Sequence, residues 1–135
     1  MTQIALFSSG NGTNAENIAN YFEKNSQIKV AVIISNKQNA YVHQRAKVLK
    51  IPSYSFSKNE IMEGTSLLKL LSEYKIDYII LAGFLLKVPQ TILNNFPNKI
   101  INIHPALLPK YGGKGMYGDN VHKKVVEMRD SKSGI

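Results

Sequence analysis

An amide and an imidazole lie two positions apart near the end of an apolar run, at Asn102 and His104. Side chains at positions i and i+2 of a strand project to the same face, roughly 7 Å apart at the usual rise per residue. Asparagine donates hydrogen bonds without carrying charge, whereas histidine exchanges a proton near neutral pH. Together they suit the stabilisation of an oxyanion and the movement of a proton, which is the chemistry of acyl transfer. A buried, hydrogen-bonded histidine is the alternative that the pair alone leaves open.

A glycine-rich turn near the N-terminus is a second candidate site. Residues 10–15 read Gly-Asn-Gly-Thr-Asn-Ala and separate an apolar run from an amphipathic segment. Glycine lets the backbone approach a ligand closely, and the start of a helix offers free N–H groups and the positive end of the helix dipole. The turn is therefore a candidate phosphate cradle. The alternative is a plain helix start in which Thr13 and Glu16 form a capping box.

The same turn also matches the dinucleotide fingerprint G-x-G-x-x-A. That fingerprint needs an acidic residue at the end of the second strand, where it binds the ribose hydroxyls. This chain has Ser35, Asn36 and Lys37 at that place, so NAD is disfavoured. NADP stays open as an alternative, because a lysine there suits its additional phosphate.

Hydrophobic periodicity predicts that strands and helices alternate along the chain. Apolar runs predict strands over residues 3–8, 29–35, 52–56, 77–82 and 99–103. Helical spacing of apolar residues predicts helices over residues 15–22, 40–50, 57–74, 89–95 and 119–129. Alternation of this kind favours an α/β fold with an open, doubly wound, mostly parallel sheet of about five strands. Ligands of such sheets bind outside the carboxyl ends of the strands, and both candidate sites are predicted to lie on that edge.

Composition and charge narrow the class of protein. The 135 residues include no cysteine, which excludes disulfides, thiolate catalysis and cysteine-ligated zinc. No apolar run approaches the length of a membrane span, and the N-terminal run is too short for a signal peptide, so we expect a cytoplasmic protein without a membrane partner. The formal net charge of +8 favours anionic partners. Scattered lysines without interleaved aromatics argue against nucleic acid and leave a phosphorylated small molecule as the better candidate.

Four stretches of the chain resemble one enzyme family. Asn102–Tyr111 resembles the signature of the 10-formyltetrahydrofolate-dependent formyltransferases. Gly10–Asn14, Ser35–Lys37 and Leu81–Phe84 narrow the resemblance to the phosphoribosylglycinamide formyltransferases of purine synthesis, in matching order and spacing. The resemblance implies a Rossmann-like formyltransferase fold. It also implies an enzyme that transfers a formyl group from 10-formyltetrahydrofolate to the amine of glycinamide ribonucleotide.

The resemblance implies roles for the matching positions. Gly12, Thr13 and Asn14 would bind the phosphate of the ribonucleotide through their backbone amides. Asn102 would polarise the formyl carbonyl, hold the tetrahedral oxyanion and contact the folate, and His104 would assist it and take part in proton transfer. The folate would act as cosubstrate, and no metal is implied. The folate pocket would be lined by Leu85, Leu86 and Val88.

The resemblance also places a catalytic aspartate beyond Ile135, in a later stretch of the form His-x-Val-x-x-x-x-Asp-x-Gly. We therefore expect residues 1–135 to be a single formyltransferase domain without its C-terminal part, and this chain alone to be inactive or weakly active. Its partners are expected to be the two small-molecule substrates, and a monomer and a homodimer both stay open. Two rival functions also stay open: a ribonucleotide-binding fragment without turnover, and an NADP-dependent oxidoreductase.

Overall fold

Uninterrupted aliphatic residues build the central strands of this protein. The computed structural model describes residues 1–103. The strands are β1 (Thr2–Phe7), β2 (Ile28–Ser35), β3 (Ser53–Ser55), β4 (Tyr78–Leu81) and β5 (Ile100–Asn102). The helices are α1 (Thr13–Phe22), α2 (Val42–Leu49), α3 (Lys58–Glu63), α4 (Thr65–Glu73) and α5 (Gln90–Asn95).

The strand order explains where a ligand would bind. The five strands form one sheet in the order β3-β2-β1-β4-β5. The pairings of β1 with β2, of β1 with β4 and of β2 with β3 are all parallel. The chain first adds strands on one side of β1 and then crosses over to add β4 on the other side. Sheets of this kind have a crevice outside the carboxyl ends of the two strands where the order reverses, which are β1 and β4 here.

Both faces of the sheet are covered, which confirms the prediction of an α/β, doubly wound fold. Alternate residues of a strand belong to opposite faces. On one face, Ala5 and Phe7 pack in a cluster with Ile61 of α3, Leu67 of α4 and Ile92 of α5. The intervening residues of β1 are also buried, so the second face is covered as well. The helices α1 and α2 contact each other and β2, and their buried residues are Ala15, Ala19, Val42 and Ala46.

The single helix predicted over residues 57–74 is wrong, because two helices stand in its place. Gly64 adopts the left-handed conformation (φ 85°) and lies between the two helices, as the C-cap residue of α3 and the N-cap residue of α4. A residue in that conformation ends one helix, and a glycine carries no steric penalty there. Ser57 caps the start of α3: its side chain accepts a hydrogen bond from the Glu60 amide, and the Glu60 carboxylate accepts one from the Ser57 amide.

Some predicted features lie outside the described residues. These are His104, the glycine-rich loop that follows it, and the helix predicted over residues 119–129. Within residues 1–103, none of the helices has the length and apolar character needed to cross a lipid bilayer.

Candidate active site

Ser9 joins three strand ends at the crevice between β1 and β4. Its side chain is buried, its hydroxyl donates to Asn36 Oδ1 after β2 at 2.5 Å, and it accepts from the Leu85 amide after β4 at 2.8 Å. The Ser9 amide in turn donates to the Gly83 carbonyl at 3.0 Å. A serine hydroxyl can donate once and accept twice, so both side-chain bonds use its normal capacity. The three loops that border the crevice are therefore fixed to one another by a single residue.

Helix α1 begins at Thr13 with Gly12 as its N-cap residue, so the alternative of a capping box formed by Thr13 and Glu16 is wrong. Gly12 is the residue that precedes the helix, and no side chain caps it. The Glu16 amide bonds to the Gly12 carbonyl at 2.9 Å, which leaves the first amides of α1 without a helical acceptor. Thr13 and Asn14, the first two residues of α1, are exposed, whereas Gly12 is buried.

The conformation of Gly12 is fixed by packing as well as by the turn. Its φ of 80° lies in the left-handed region, and a Cβ atom added there would lie 2.5 Å from Val42 Cγ2. The Val42 amide also donates to the Gly10 carbonyl at 3.0 Å. A side chain at Gly12 would thus push the turn away from the start of α2. Gly10 has no such restriction, because nothing lies within 4 Å of a Cβ atom built on it.

Arg45 holds the turn from the side of α2. Its Nε donates to the Asn11 carbonyl and its Nη2 to Asn11 Oδ1, both at 2.7 Å. Its Nη1 forms an ion pair with Glu16 Oε2 at 3.1 Å, and its guanidinium carbon lies 5.0 Å from the centre of the Tyr41 ring. Four directed contacts of this kind need the planar fork of an arginine. The sequence analysis missed Arg45, although it is one of only two arginines in a chain rich in lysine.

The loop after β4 contains the three residues predicted to line a folate pocket. Leu86 and Val88 are partly buried and pack against the core cluster, whereas Leu85 is 54% exposed. Phe84 anchors the start of the loop, because its ring meets Phe7 of β1 edge to face with 5.2 Å between centroids. The loop therefore presents one free apolar side chain, Leu85, beside the amide that Ser9 fixes.

The end of β2 and the residues that follow it border the same crevice. Ser35 is buried and its hydroxyl accepts from the Lys37 amide at 3.1 Å. Asn36 accepts from Ser9, as described above. The side chain predicted to meet the additional phosphate of NADP, Lys37, is exposed.

Of the predicted catalytic pair, only one member falls within the described residues. Asn102 is the last residue of β5, at an edge of the described sheet, and it is exposed. His104 lies outside them. No group of three or more histidine, aspartate or glutamate side chains that would hold a metal ion occurs between residues 1 and 103.

Comparison with known proteins places this arrangement in a family. The family model described as formyl transferase matches residues 2–135. A chloroplastic phosphoribosylglycinamide formyltransferase of Arabidopsis thaliana is 38% identical over 98% of this chain and 47% of its own length. The phosphoribosylglycinamide formyltransferase of Haemophilus influenzae is 35% identical over 93% of this chain and 65% of its own length. The chain thus spans about half to two thirds of the length of these relatives.

Solved structures agree with the sequence comparison. Glycinamide ribonucleotide transformylase 1 from Geobacillus kaustophilus superposes with a TM-score of 0.81 at 31% identity, over 91% of this chain and 68% of that one. The phosphoribosylglycinamide formyltransferase from Coxiella burnetii superposes with a TM-score of 0.82 at 31% identity, over 96% of this chain and 61% of that one. Family model, sequence relatives and fold all confirm the resemblance found in the sequence. The chain belongs to the formyl transferase family.

Proposed function

We propose that the protein, in its complete form, transfers a formyl group from 10-formyltetrahydrofolate to the amine of glycinamide ribonucleotide. Family membership supports formyl transfer, and the names of the relatives and of the superposed structures support this substrate. The family match gives no support to an NADP-dependent oxidoreductase.

The observation that carries the proposal is the uncapped start of α1 at the crevice between β1 and β4. A phosphate binds well where several backbone amides and the positive end of a helix dipole meet. Gly12, Thr13 and Asn14 provide such amides, and no side chain competes for them. Arg45 and Val42 fix the turn before the ligand arrives, so little conformational freedom is lost on binding. In this proposal the phosphate is that of the ribonucleotide.

The folate is proposed to lie along the loop after β4. Leu85 offers an exposed apolar side chain, and Leu86 and Val88 support the loop from the core. Ser9 accepts a hydrogen bond from the Leu85 amide, and this bond fixes the position of the apolar surface relative to the phosphate turn. Apolar side chains beside a few fixed polar groups are typical of small-molecule pockets.

The reaction needs an oxyanion site and a path for one proton. The neutral amine of the ribonucleotide attacks the formyl carbon, and a tetrahedral intermediate with an oxyanion forms. The bond from that carbon to the folate nitrogen then breaks, and the proton lost by the amine passes to the departing nitrogen. We propose that Asn102 donates to the oxyanion and that His104 assists it and moves the proton. Preorganised donors of this type stabilise the transition state more than the ground state.

The test uses the complete protein with both substrates, because this chain spans only part of its relatives. Asn102→Ala should lower kcat by about 10²–10³ if it removes one oxyanion donor. Asn98→Gly is the control, because it removes a nearby amide that has no proposed role. A loss of tenfold or less in the Asn102 variant would refute the oxyanion role. Turnover of other amines with equal efficiency would refute the proposal that glycinamide ribonucleotide is the specific formyl acceptor.

The 135-residue chain should be assayed beside the complete protein. Binding of the ribonucleotide by this chain without formyl transfer is the expected result, because the aspartate implied by the resemblance would lie further along. Failure of both proteins to bind the ribonucleotide would refute the phosphate site.

A further inference from the structure

One dipeptide of the proposed phosphate turn has a chemical reactivity that formyl transfer does not use. Asn11 is the only asparagine of the 135 residues that is followed by glycine. In such a pair the backbone nitrogen of the glycine can attack the side-chain carbonyl carbon of the asparagine, because glycine has no Cβ atom that hinders the approach. Asparagine is a thermally labile residue in proteins for this reason. Asn11 and Gly12 therefore form a candidate site of covalent modification.

Secondary structure does not restrain the two reacting groups. Asn11 is exposed and precedes α1. The Gly12 carbonyl accepts the first bond of the helix, whereas the Gly12 amide finds no acceptor among residues 1–103. A backbone amide that donates within a helix or a sheet is held in place by its acceptor, and this one is not. Any restraint on the reaction must come from side-chain contacts and packing.

Arg45 restrains the asparagine by holding two of its oxygens with one group. Its Nε donates to the Asn11 carbonyl oxygen and its Nη2 donates to Asn11 Oδ1, both at 2.7 Å. The guanidinium is planar and rigid, so these two oxygens lie side by side. The carbonyl oxygen and the following amide nitrogen lie on opposite sides of the same planar carbon. The side-chain amide of Asn11 is therefore turned away from the Gly12 nitrogen that would attack it.

Packing restrains the glycine as well. Gly12 is buried with φ 80°, and a Cβ atom added to it would lie 2.5 Å from Val42 Cγ2. The Val42 amide holds the Gly10 carbonyl at 3.0 Å on the other side of Asn11. Ring closure between the two reacting groups requires rotation of the peptide that joins them. That rotation would displace Gly12 from its place against Val42.

We propose that Asn11 and Gly12 form a deamidation site and that Arg45 slows its reaction in the folded protein. The Gly12 nitrogen gives up its proton and bonds to Asn11 Cγ, and the carbon–nitrogen bond of the side-chain amide breaks. Ammonia leaves with that proton, and a succinimide ring remains. Water then opens the ring at either carbonyl, which leaves an aspartate or an isoaspartate at position 11. One water is consumed and one ammonia is released, without an oxidant or a reductant.

The two products have different effects on the turn. An aspartate at position 11 still offers two oxygens to Arg45, and an ionised carboxylate binds a guanidinium more strongly than an amide does. It also adds a negative charge directly before the amides that are proposed to bind phosphate. An isoaspartate lengthens the backbone by a carbon and breaks the fit of Gly12 against Val42. Both products weaken binding of the ribonucleotide, a consequence that, unlike the modification itself, rests on the proposed function.

Peptide mapping by mass spectrometry of the complete protein, incubated in mildly alkaline buffer, measures the rate of modification at position 11. Arg45→Met removes both donors to Asn11 and should raise the rate at least about fivefold, with Arg45→Lys between it and the unaltered protein. Unfolding in urea should raise the rate at least about tenfold, because it removes every restraint. An unchanged rate in Arg45→Met, or equal rates in the folded and unfolded protein, would overturn the proposal.

Two control variants separate the contact with Arg45 from general stability. Glu16→Gln removes the ion pair of Arg45 and leaves both of its bonds to Asn11. Ile92→Val removes a methyl group from the core at α5 and lowers stability without touching the turn. Both variants should modify position 11 at the rate of the unaltered protein. If Ile92→Val raises the rate as much as Arg45→Met does, global unfolding sets the rate and the proposal is overturned.

Asn11→Asp reproduces the charged product with a normal backbone. It should weaken binding of glycinamide ribonucleotide to the complete protein at least about fivefold through repulsion of like charges, without lowering resistance to urea. Asn25→Asp is the matched control: Asn25 is exposed, lies outside the turn and uses its Oδ1 as an acceptor for two amides, which a carboxylate also does. Equal affinity in Asn11→Asp and Asn25→Asp would overturn the effect on the phosphate turn. Absence of binding by the unaltered protein would instead refute the proposed function, and the measured rates at position 11 would still decide the modification.

Discussion

The hydroxyl of Ser9 accepts a hydrogen bond from the backbone amide of Leu85 at 2.8 Å, across 76 residues of sequence. The same hydroxyl donates to Asn36, so one buried side chain sets the spacing of the loops after β1, β2 and β4. The phosphate turn and the folate loop proposed here begin directly at these residues. Their relative position therefore depends on a residue to which no substrate contact is assigned in the proposal.

Ser9→Ala should destabilise the protein by about 1–3 kcal/mol, because it removes two part-buried hydrogen bonds, one from the Leu85 amide and one to Asn36 Oδ1. Urea unfolding measures this change, and hydrogen exchange of the Leu85 amide should become faster. Ser66→Ala, on the exposed face of α4, is the control and should stay within about 0.5 kcal/mol. Unchanged protection of the Leu85 amide in Ser9→Ala would contradict the assignment.

Substitution by alanine should have different effects on stability at the two glycines of the proposed phosphate turn. Gly12→Ala should cost about 2–4 kcal/mol, because a left-handed residue is strained and the new Cβ overlaps Val42. Gly10→Ala should be tolerated, since its Cβ would meet nothing within 4 Å. Urea unfolding of the two variants, compared under the same conditions, provides the measurement. Similar stability of both variants would show that the turn does not pack as described.

Arg45→Lys should lower stability by about 1–2 kcal/mol, because an ammonium group cannot make both bonds to Asn11 and the ion pair with Glu16 together. Ribonucleotide binding should weaken as well, since the turn loses its support. Glu16→Gln removes only the ion pair and serves as the comparison. If it costs as much as Arg45→Lys, the bonds to Asn11 contribute nothing.

A hydrogen-bonded pair of tyrosines should make the free energy of unfolding decrease at alkaline pH. The hydrogen bond with the Tyr54 hydroxyl, followed by burial, raises the pKa of Tyr74 from 10.0 to about 12. Between these two pH values the folded chain retains a proton that the unfolded chain loses, so stability should fall as pH rises through this window. Urea unfolding at several pH values measures the slope.

Variants of the two tyrosines test whether their hydrogen bond causes this pH dependence of stability. Tyr54→Phe should bring the pKa of Tyr74 back towards its ordinary value and flatten the slope, which tyrosinate absorbance would follow directly. Tyr21→Phe alters a tyrosine that is 79% exposed and should leave the slope unchanged. Identical pH profiles for the Tyr54 variant and the unaltered chain would exclude the hydrogen bond as the cause.

The strands were predictable because their signal is local. Ile28–Ser35 is a nearly continuous apolar run, and such runs indicate strands buried on both faces. Alternation with helices was enough to predict a doubly wound sheet. The position of the proposed phosphate turn at the carboxyl edge followed from the same alternation, since it comes directly after the first strand.

The errors and omissions have long-range causes. The capping box of Thr13 and Glu16, the alternative to a phosphate cradle, does not form, because Glu16 pairs with Arg45, 29 residues further along the chain. Gly64 separates two helices and packs near Thr91 of α5, a contact that no local pattern reveals. Ser9 and Arg45 were missed because their partners lie on other elements. The role of Asn102 and His104 rests on spacing and resemblance, and it stays a prediction.

The central position of β1 also affects how the nascent chain folds. Its register with β4 aligns Ile4 with Tyr78, so one edge of the first strand has no partner until that later strand has been synthesised. At about 5–20 residues per second the ribosome takes roughly 4–15 s to add the intervening residues. Unpaired strand edges favour association with other chains. Molecular chaperones that bind nascent chains should therefore matter most during this interval, and slow translation before residue 78 should lower the soluble yield.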